Sequence, residues 1–450
     1  MSRRTALLVS LPIALAGLSA CGGDGGSGNA TASRPRLPAT ECGTYNGQGC
    51  APASRRVDLQ RPSFSNSTQI DNPLFPISGL HSALLLGHVD GKPFRTETTL
   101  LPGIQTVRWR GEDVKVRVSQ YVAYLDRRLE EVALDRYAQA DDGSVWYFGE
   151  DVFDYRNGTV ALTEGTWLAG REGPAAMIMP AKPKVGDVFR TENAPGIVFE
   201  EVTVKEVGRT LDGPVGPIEG GMVGEELHSD GTHEDKLFAP GYGEFRTAGG
   251  GDLEALAMAV PANALSGPPP AELQSMLRAA EGILESARLH DWEEASATLR
   301  RMNGSWKTVR ATKQPRMVVA RLDVAMAALR RAVVDRQAGP TTQTAIDVGQ
   351  SVTDLELRHV PPSAVDAERF HLWTQQLRVD AAAKDLGAVT GDVAALEWIR
   401  DRIAHTLGDA GGREIDARLR ELRAATDARN LPAAADHAAR LAARLRTLAR

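Results

Sequence analysis

Apolar residues recur along this chain with two different periods, and the change falls near residue 268. Between about Gln60 and Pro261 the period is two. Val114, Val116 and Val118 alternate with Lys115 and Arg117, and the run from Val198 to Val207 behaves likewise. Such alternation predicts half-buried β-strands. Asp142-Gly143 precedes the run Val145 to Phe148, and Asn157-Gly158 separates Val152–Tyr155 from Thr159–Leu162. Asp230-Gly231 gives a third such turn. These dipeptides accept the positive φ of tight hairpin turns. Turns at this spacing predict one antiparallel, strongly curved sheet or open barrel over residues 60–262.

Beyond Pro268, Pro269 and Pro270 the period becomes three to four. Leu273, Met276, Leu277, Ala280 and Leu284 share one helical face, as do Val319, Leu322, Met326 and Leu329. Breakers near His290, Pro315, Gly339-Pro340, Pro361-Pro362, Gly387, Gly411-Gly412 and Pro432 divide residues 271–450 into about eight helices. Asp291, Asp385 and Asn430 each follow an alanine-rich helix and start another, with Asp335 in a similar place. A period near 45 residues predicts helical hairpins stacked as a bundle or short solenoid. The fold class is therefore α+β in two parts, joined by a stiff linker over 263–270. The pattern leaves open whether the two parts pack together.

The chain has 450 residues, 42% hydrophobic and 24% charged, which excludes wholesale disorder. Its net charge of −6 shows no basic footprint for nucleic acid. Charge divides along the boundary: residues 268–450 hold 27 Lys+Arg against 24 Asp+Glu, leaving 25 against 34 for residues 1–267. The segment Arg413 to Arg450 has nine arginines and five acids. Such a weakly basic face suits anionic lipid heads or cell-wall polymers, and a solvated face with ion pairs i,i+4 apart is the blander reading.

At the N-terminus Arg3 and Arg4 precede the apolar run Ala6 to Leu18, which ends in Leu18-Ser19-Ala20-Cys21. Thirteen apolar residues are too few to span a bilayer, which needs about 20. The segment 1–21 resembles the signal and lipobox of bacterial lipoproteins. That resemblance implies cleavage before Cys21, acylation of its sulfur, and attachment to the extracytoplasmic face of a membrane. Residues 22–59 follow as a Gly/Ser/Ala-rich tether with an r.m.s. reach of ~20 Å over its first 15 residues. In that oxidising setting Cys42 and Cys50 are expected to form a disulfide. The sheet region further resembles a family of uncharacterised bacterial secreted lipoproteins. The likeness is carried by Ile70 to Pro76 (IDNPLFP), Gly143 to Glu150 (GSVWYFGE), Met179 to Asp187 (MPAKPKVGD) and Phe238 to Gly243 (FAPGYG). A weaker likeness, in strand pattern alone, is to lipoprotein-carrier-like half-barrels.

The sharpest chemical cluster is Glu225 to Asp235. If Asp230-Gly231 forms a two-residue turn, His228 stands opposite His233, with Glu226 and Asp235 on the same face. Two imidazoles and two carboxylates make a candidate site for Zn²⁺, Cu²⁺ or Ni²⁺, with no other cofactor implied. Glu397, Asp401 and His405 recur every four residues, and Asp347 and Asp354 lie seven apart. Nearby Arg358, Arg378, Arg400 and Arg402 favour ion pairs there. Trp146 and Phe148 alternate with Tyr147 and form either a concave apolar pocket or sheet core. Paired acids such as Glu200-Glu201 offer nothing to separate their pKa values. No nucleophile elbow or phosphate loop occurs. The sequence thus predicts a lipid-anchored, non-enzymatic envelope protein. Its sheet would be a binding or structural module, and its helices a docking surface for an envelope protein. Metal handling through the hairpin is the alternative.

Overall fold

A computed structural model describes Cys42 and residues 49–448. Fifteen strands precede eight α-helices among these residues. The strands are β1 (Ser82–Val89), β2 (Lys92–Leu100), β3 (Gln105–Trp109), β4 (Glu112–Leu125), β5 (Arg128–Gln139), β6 (Val145–Arg156), β7 (Thr159–Leu162), β8 (Trp167–Leu168), β9 (Ala176–Met179), β10 (Val188–Ala194), β11 (Val198–Asp212), β12 (Pro217–His228), β13 (His233–Ala239), β14 (Gly243–Gly249) and β15 (Asp252–Val260). The helices are α1 (Ala271–Arg288), α2 (Trp292–Arg310), α3 (Arg316–Val334), α4 (Ala338–Glu356), α5 (Pro362–Ala382), α6 (Leu386–Ile403), α7 (Gly408–Asp427) and α8 (Leu431–Leu448).

All strands join one antiparallel sheet. Its main path runs β10-β11-β12-β13-β14-β15-β1-β2-β4-β5-β6-β7, with β3 paired to β4 and both β8 and β9 paired to β6. The sheet is open. Because β1 pairs with β15, the first and last strands lie together in its middle. The chain therefore leaves the sheet at its centre, and α1 begins there with Pro270 at its N-cap. The Cys42–Cys50 disulfide is formed, with Cα atoms 5.4 Å apart. Three of the family-like segments meet at Asn72, whose carboxamide donates to the carbonyls of Gly143 (3.0 Å) and Pro180 (3.1 Å). Cys21 and most of the tether lie outside the described residues.

The breakers in the helical half mostly mark starts rather than gaps. Gly339-Pro340, Gly387, Gly411 and Pro432 all fall within first turns. What ends each hairpin's first helix is a residue in the left-handed region. His290, Arg336, Lys384 and Arg429 occupy it at intervals of 46, 48 and 45 residues. After each, the next N–H reaches back five residues, as in Asp291 to Ser286 and Asp385 to Asp380. Asp291, Asp385 and Asn430 then cap α2, α6 and α8 with their side chains. The faint repeat is thus a repeated turn. The four hairpins form two cores, one from α1–α4 and one from α5–α8.

Both cores rest on the sheet's outer face. Leu84 and Leu86 pack with α1–α4, while Ala83 and Leu85 face the other way. Val122, Tyr124, Val132 and Tyr155 pack with α5–α8. The β6–β7 turn docks on α6 so closely that a Cβ on Gly158 would lie 2.3 Å from the Gly387 carbonyl oxygen.

Within this apolar seam sits a buried ion network. On β2, Arg95 and Glu97 point to the helices. Arg95 forks onto Asp354 of α4 (2.6 and 2.7 Å) and onto Glu97 (2.6 and 2.9 Å). Arg402 of α6 donates to Glu97 (2.7 Å) and to Gln120 of β4 (2.5 Å). Arg369 of α5 donates to Asp354 (3.0 Å) and Asp366 (3.2 Å). Burial alone would raise the Glu97 carboxyl, but Arg369, Arg95 and Arg402 hold it well below the usual range. Such a network gains little over apolar packing, yet removing one member strands the rest in a dry seam. Glu97→Gln is expected to cost ~3–5 kcal/mol in chemical denaturation. Breaking the exposed Arg61–Glu112 pair should leave the midpoint unchanged.

Candidate functional site

The outward set of β2 residues dictates its inward set. With Arg95 and Glu97 facing the helices, Phe94 and Thr96 face the concave side. That side is acidic. Nine carboxyl groups gather there: Glu131, Asp135, Glu150, Glu192, Glu200, Glu226, Glu234, Glu244 and Glu254. Among the described residues, Lys236 and His228 face the acids of β10–β13, and the charge of Arg136 acts on Asp135.

The most compact group lies on β10–β13. Glu200 of β11 stands opposite His228 of β12, and Glu226 is two residues back on the same strand. Glu234 of β13 stands opposite Glu226. Glu200, Glu226 and His228 each offer a ligand atom, all within 4.8 Å of one another. His228 Nδ1 lies 3.4 Å from Glu200, and its Nε2 lies 3.4 Å from Glu234. Thr191 of β10 donates to Glu200 (3.3 Å) and Glu226 (3.2 Å). Lys236 Nζ sits 2.6 Å from Glu226.

These contacts divide the protons. Burial lowers an imidazole's pKa, but Glu200, Glu234 and Glu226 override it and push His228 up to about 11. Glu226 is pushed up by burial and then by the Glu200 charge. Glu200 moves down despite burial, because Lys236 and His228 stabilise its carboxylate. The cluster thus favours the protonated form of Glu226 and of His228 and the charged form of Glu200.

The remaining acids continue the lining. Burial pushes both Glu150 and Glu192 up, and the Glu192 charge raises Glu150 further. Trp167 Nε1 donates to Glu192 (3.4 Å), and the Tyr147 hydroxyl donates to Asp135 (2.7 Å). Thr96 hydrogen-bonds Glu254, whose carboxyl burial raises to about 8. Neither oxygen of fully buried Glu131 has a partner among the described residues, nor has the buried Tyr121 hydroxyl.

The hairpin register differs from the expected one. His228 N–H donates to the Thr232 carbonyl (2.9 Å), and the Gly231 N–H donates to the His228 carbonyl (2.9 Å). The loop therefore has three residues, with Gly231 left-handed at its third position. This pairs Leu227, not His228, with His233. His228 and Glu226 stay on the concave face. His233 and Asp235 move to the other face, where His233 Nδ1 lies 3.8 Å from Glu225. The four-ligand set is thus split, and Glu200 joins from the neighbouring strand.

Other candidates find their places too. Phe148 is fully buried and meets Trp109 and Phe64 edge-on, while Trp146 donates to Ser144 (2.8 Å). Both belong to the largest apolar core. Tyr147, between them, is the one that faces the acids. The helical acids form ion pairs: Glu397 with Arg423, Asp401 with Arg400, Asp347 with Arg127 and Asp354 with Arg95 and Arg369. Glu200 and Glu201 are also not equivalent. Glu201 faces away and accepts from the Ala51 N–H (2.7 Å), whereas Glu200 joins the concave cluster. The missed signal was a single acid set among apolar inward positions, as Glu200 is beside Val202 and Val204 on β11.

No protein-family model matches this chain, and no curated protein matches it.

The raised groups set a pH dependence. A group whose pKa is higher folded than unfolded gives stability that is complete below its unfolded value and fades as pH rises toward its folded one. His228, Glu131, Glu150, Glu192, Glu226 and Glu254 all act in this sense. The lowered acids Glu97, Asp354 and Glu200 lose their contribution only as pH falls below about 4.5. Thermal stability should therefore fall steadily from pH 5 to pH 9. Glu131→Gln, which cannot ionise, should flatten that slope; an unchanged slope would count against the ionisation of Glu131.

Proposed function

We propose that this chain is a lipid-anchored extracytoplasmic protein that binds a divalent transition metal ion inside its sheet, without catalysing a reaction. One observation carries the reading: Glu200, Glu226 and His228 converge within 4.8 Å on a concave face that holds far more carboxyls than cations. Two carboxylates and one imidazole suit Zn²⁺, Cu²⁺ or Ni²⁺. This is the metal-handling alternative of the sequence reading, with Glu200 in place of His233 and Asp235. It refines the sheet's role as a binding module. The helices brace the sheet from outside, and any envelope partner would meet their solvent-facing side.

The anchoring half of the proposal rests on Cys21 and the lipobox-like residues before it. Among the described residues no helix is long and apolar enough to cross a membrane. Acyl chains on Cys21 would supply the attachment.

Metal must displace the His228 proton, so binding and proton release are linked. In calorimetric titration of the untagged full chain in detergent, Zn²⁺ is expected to bind with release of at least one proton, and more tightly as pH rises from 6 to 8. His228→Ala and Glu226→Gln should weaken binding at least tenfold, and His233→Ala should leave it unchanged. Binding abolished by His233→Ala but kept in His228→Ala would refute the assignment. Cys21→Ser should release the protein from sedimented envelopes; continued sedimentation would remove the anchor.

A further inference from the structure

A second polar site lies on the opposite side of the sheet, in the seam with the helices. A cavity of about 50 Å³ opens there, lined by Arg95 of β2, Arg127 of the β4–β5 turn, Arg321 of α3, Gln350 of α4, and the rings of Tyr124 and Trp373. That volume holds a few water-sized groups, enough for a small oxyanion. The two rings stack 5.2 Å apart and give the cavity a flat apolar wall.

Five guanidiniums, those of Arg95, Arg127, Arg321, Arg369 and Arg402, gather around the cavity with the carboxyls of Glu97, Asp126, Asp347, Asp354 and Asp366, but the pairing among them is uneven. Glu97 and Asp354 are consumed by Arg95, Arg369 and Arg402. Asp347 lies 3.5 Å from Arg127. Arg321 is left over: half-buried, it takes no hydrogen bond or ion pair from any described residue. Burial and the facing Arg95 pull its pKa down, against the weaker pull of the Asp354 and Asp347 charges. In the buried network behind it, Arg402 Nη2 also has no acceptor. Arg127 sits in a left-handed turn position (φ 69°), and its guanidinium reaches toward Asp347 of α4.

We infer that this cavity binds a phosphate-sized oxyanion, held by Arg321 from α3 and by Arg127 from the β4–β5 turn. Planar guanidiniums match phosphate and carboxylate oxygens in forked hydrogen bonds. The anion would accept from the otherwise unpartnered Arg321 guanidinium and clamp α3 to the sheet. It would therefore stabilise the folded chain by binding it alone. The site is independent of the metal reading, since it uses the other face of the sheet and none of its residues.

The test is melting and calorimetry of the full chain in detergent at pH 7, with inorganic phosphate added at constant ionic strength against sodium chloride. Phosphate should raise the melting temperature saturably, with a Kd near or below about 1 mM. Arg321→Gln should weaken phosphate binding at least tenfold. Its melting temperature in chloride should equal or exceed that of the parent, because an unpaired cation has been removed. Arg127→Gln should weaken phosphate as well and decides the matter if Arg321→Gln fails to fold. Arg446→Gln, on α8 away from the cavity, should bind like the parent. Acetate acting like phosphate supports the site and shows that one carboxylate suffices. Phosphate acting only as chloride does, or binding unchanged in Arg321→Gln, overturns the inference.

Discussion

The ion network that joins Arg95 and Glu97 of β2 to Asp354, Arg369 and Arg402 of the helices fixes which way β2 faces. Strand side chains alternate, so a one-residue slip would turn two buried charges inward and Thr96 outward. Because β2 lies beside β1 and β4 in the middle of the sheet, its facing passes to both neighbours through the ladder. The acidic concave face depends on that choice. Apolar packing of helices on the outer face would tolerate several sheet positions, but guanidinium forks onto named carboxylates tolerate one. The seam thus supplies specificity more than net stability.

On the concave side the energetics reverse. The seam nearly neutralises its charges by pairing, whereas the interior does so mainly by holding protons. Burial raises the carboxyls of Glu226, Glu254, Glu150 and Glu192 above the range of solvent-exposed acids, which favours their protonated forms. A buried carboxyl kept neutral in this way is costly to ionise, and a divalent cation lowers that cost by supplying the charge locally. Carboxyl oxygens without partners, such as both of Glu131, have no role in holding the sheet together. Their placement at inward positions of a central strand is an expense that a bound cation would account for.

Much of the fold was legible because both halves obey simple periods. Alternation at Val114–Val118, turns at Asn157-Gly158 and the three-to-four spacing after Pro270 predicted sheet and helices in order. The open sheet and the helical bundle follow. Two features were hidden. The Asp230-Gly231 dipeptide suits either a two-residue or a three-residue loop, and only Gly231 at the third position separates His228 from His233. The other is long-range: Glu97 and Arg402 lie 305 residues apart, and no local pattern pairs them. Apart from Glu226, the inward acids were visible as letters but not gathered into one site, because one strand's alternation does not say which face a curved sheet closes over.

X-ray absorption on the zinc-loaded full chain tests the central claim most directly. The account predicts a shell of nitrogen and oxygen donors with a single imidazole, from His228, beside carboxylate oxygens of Glu200 and Glu226. Two imidazoles in the shell, or zinc that washes off at neutral pH, would contradict it.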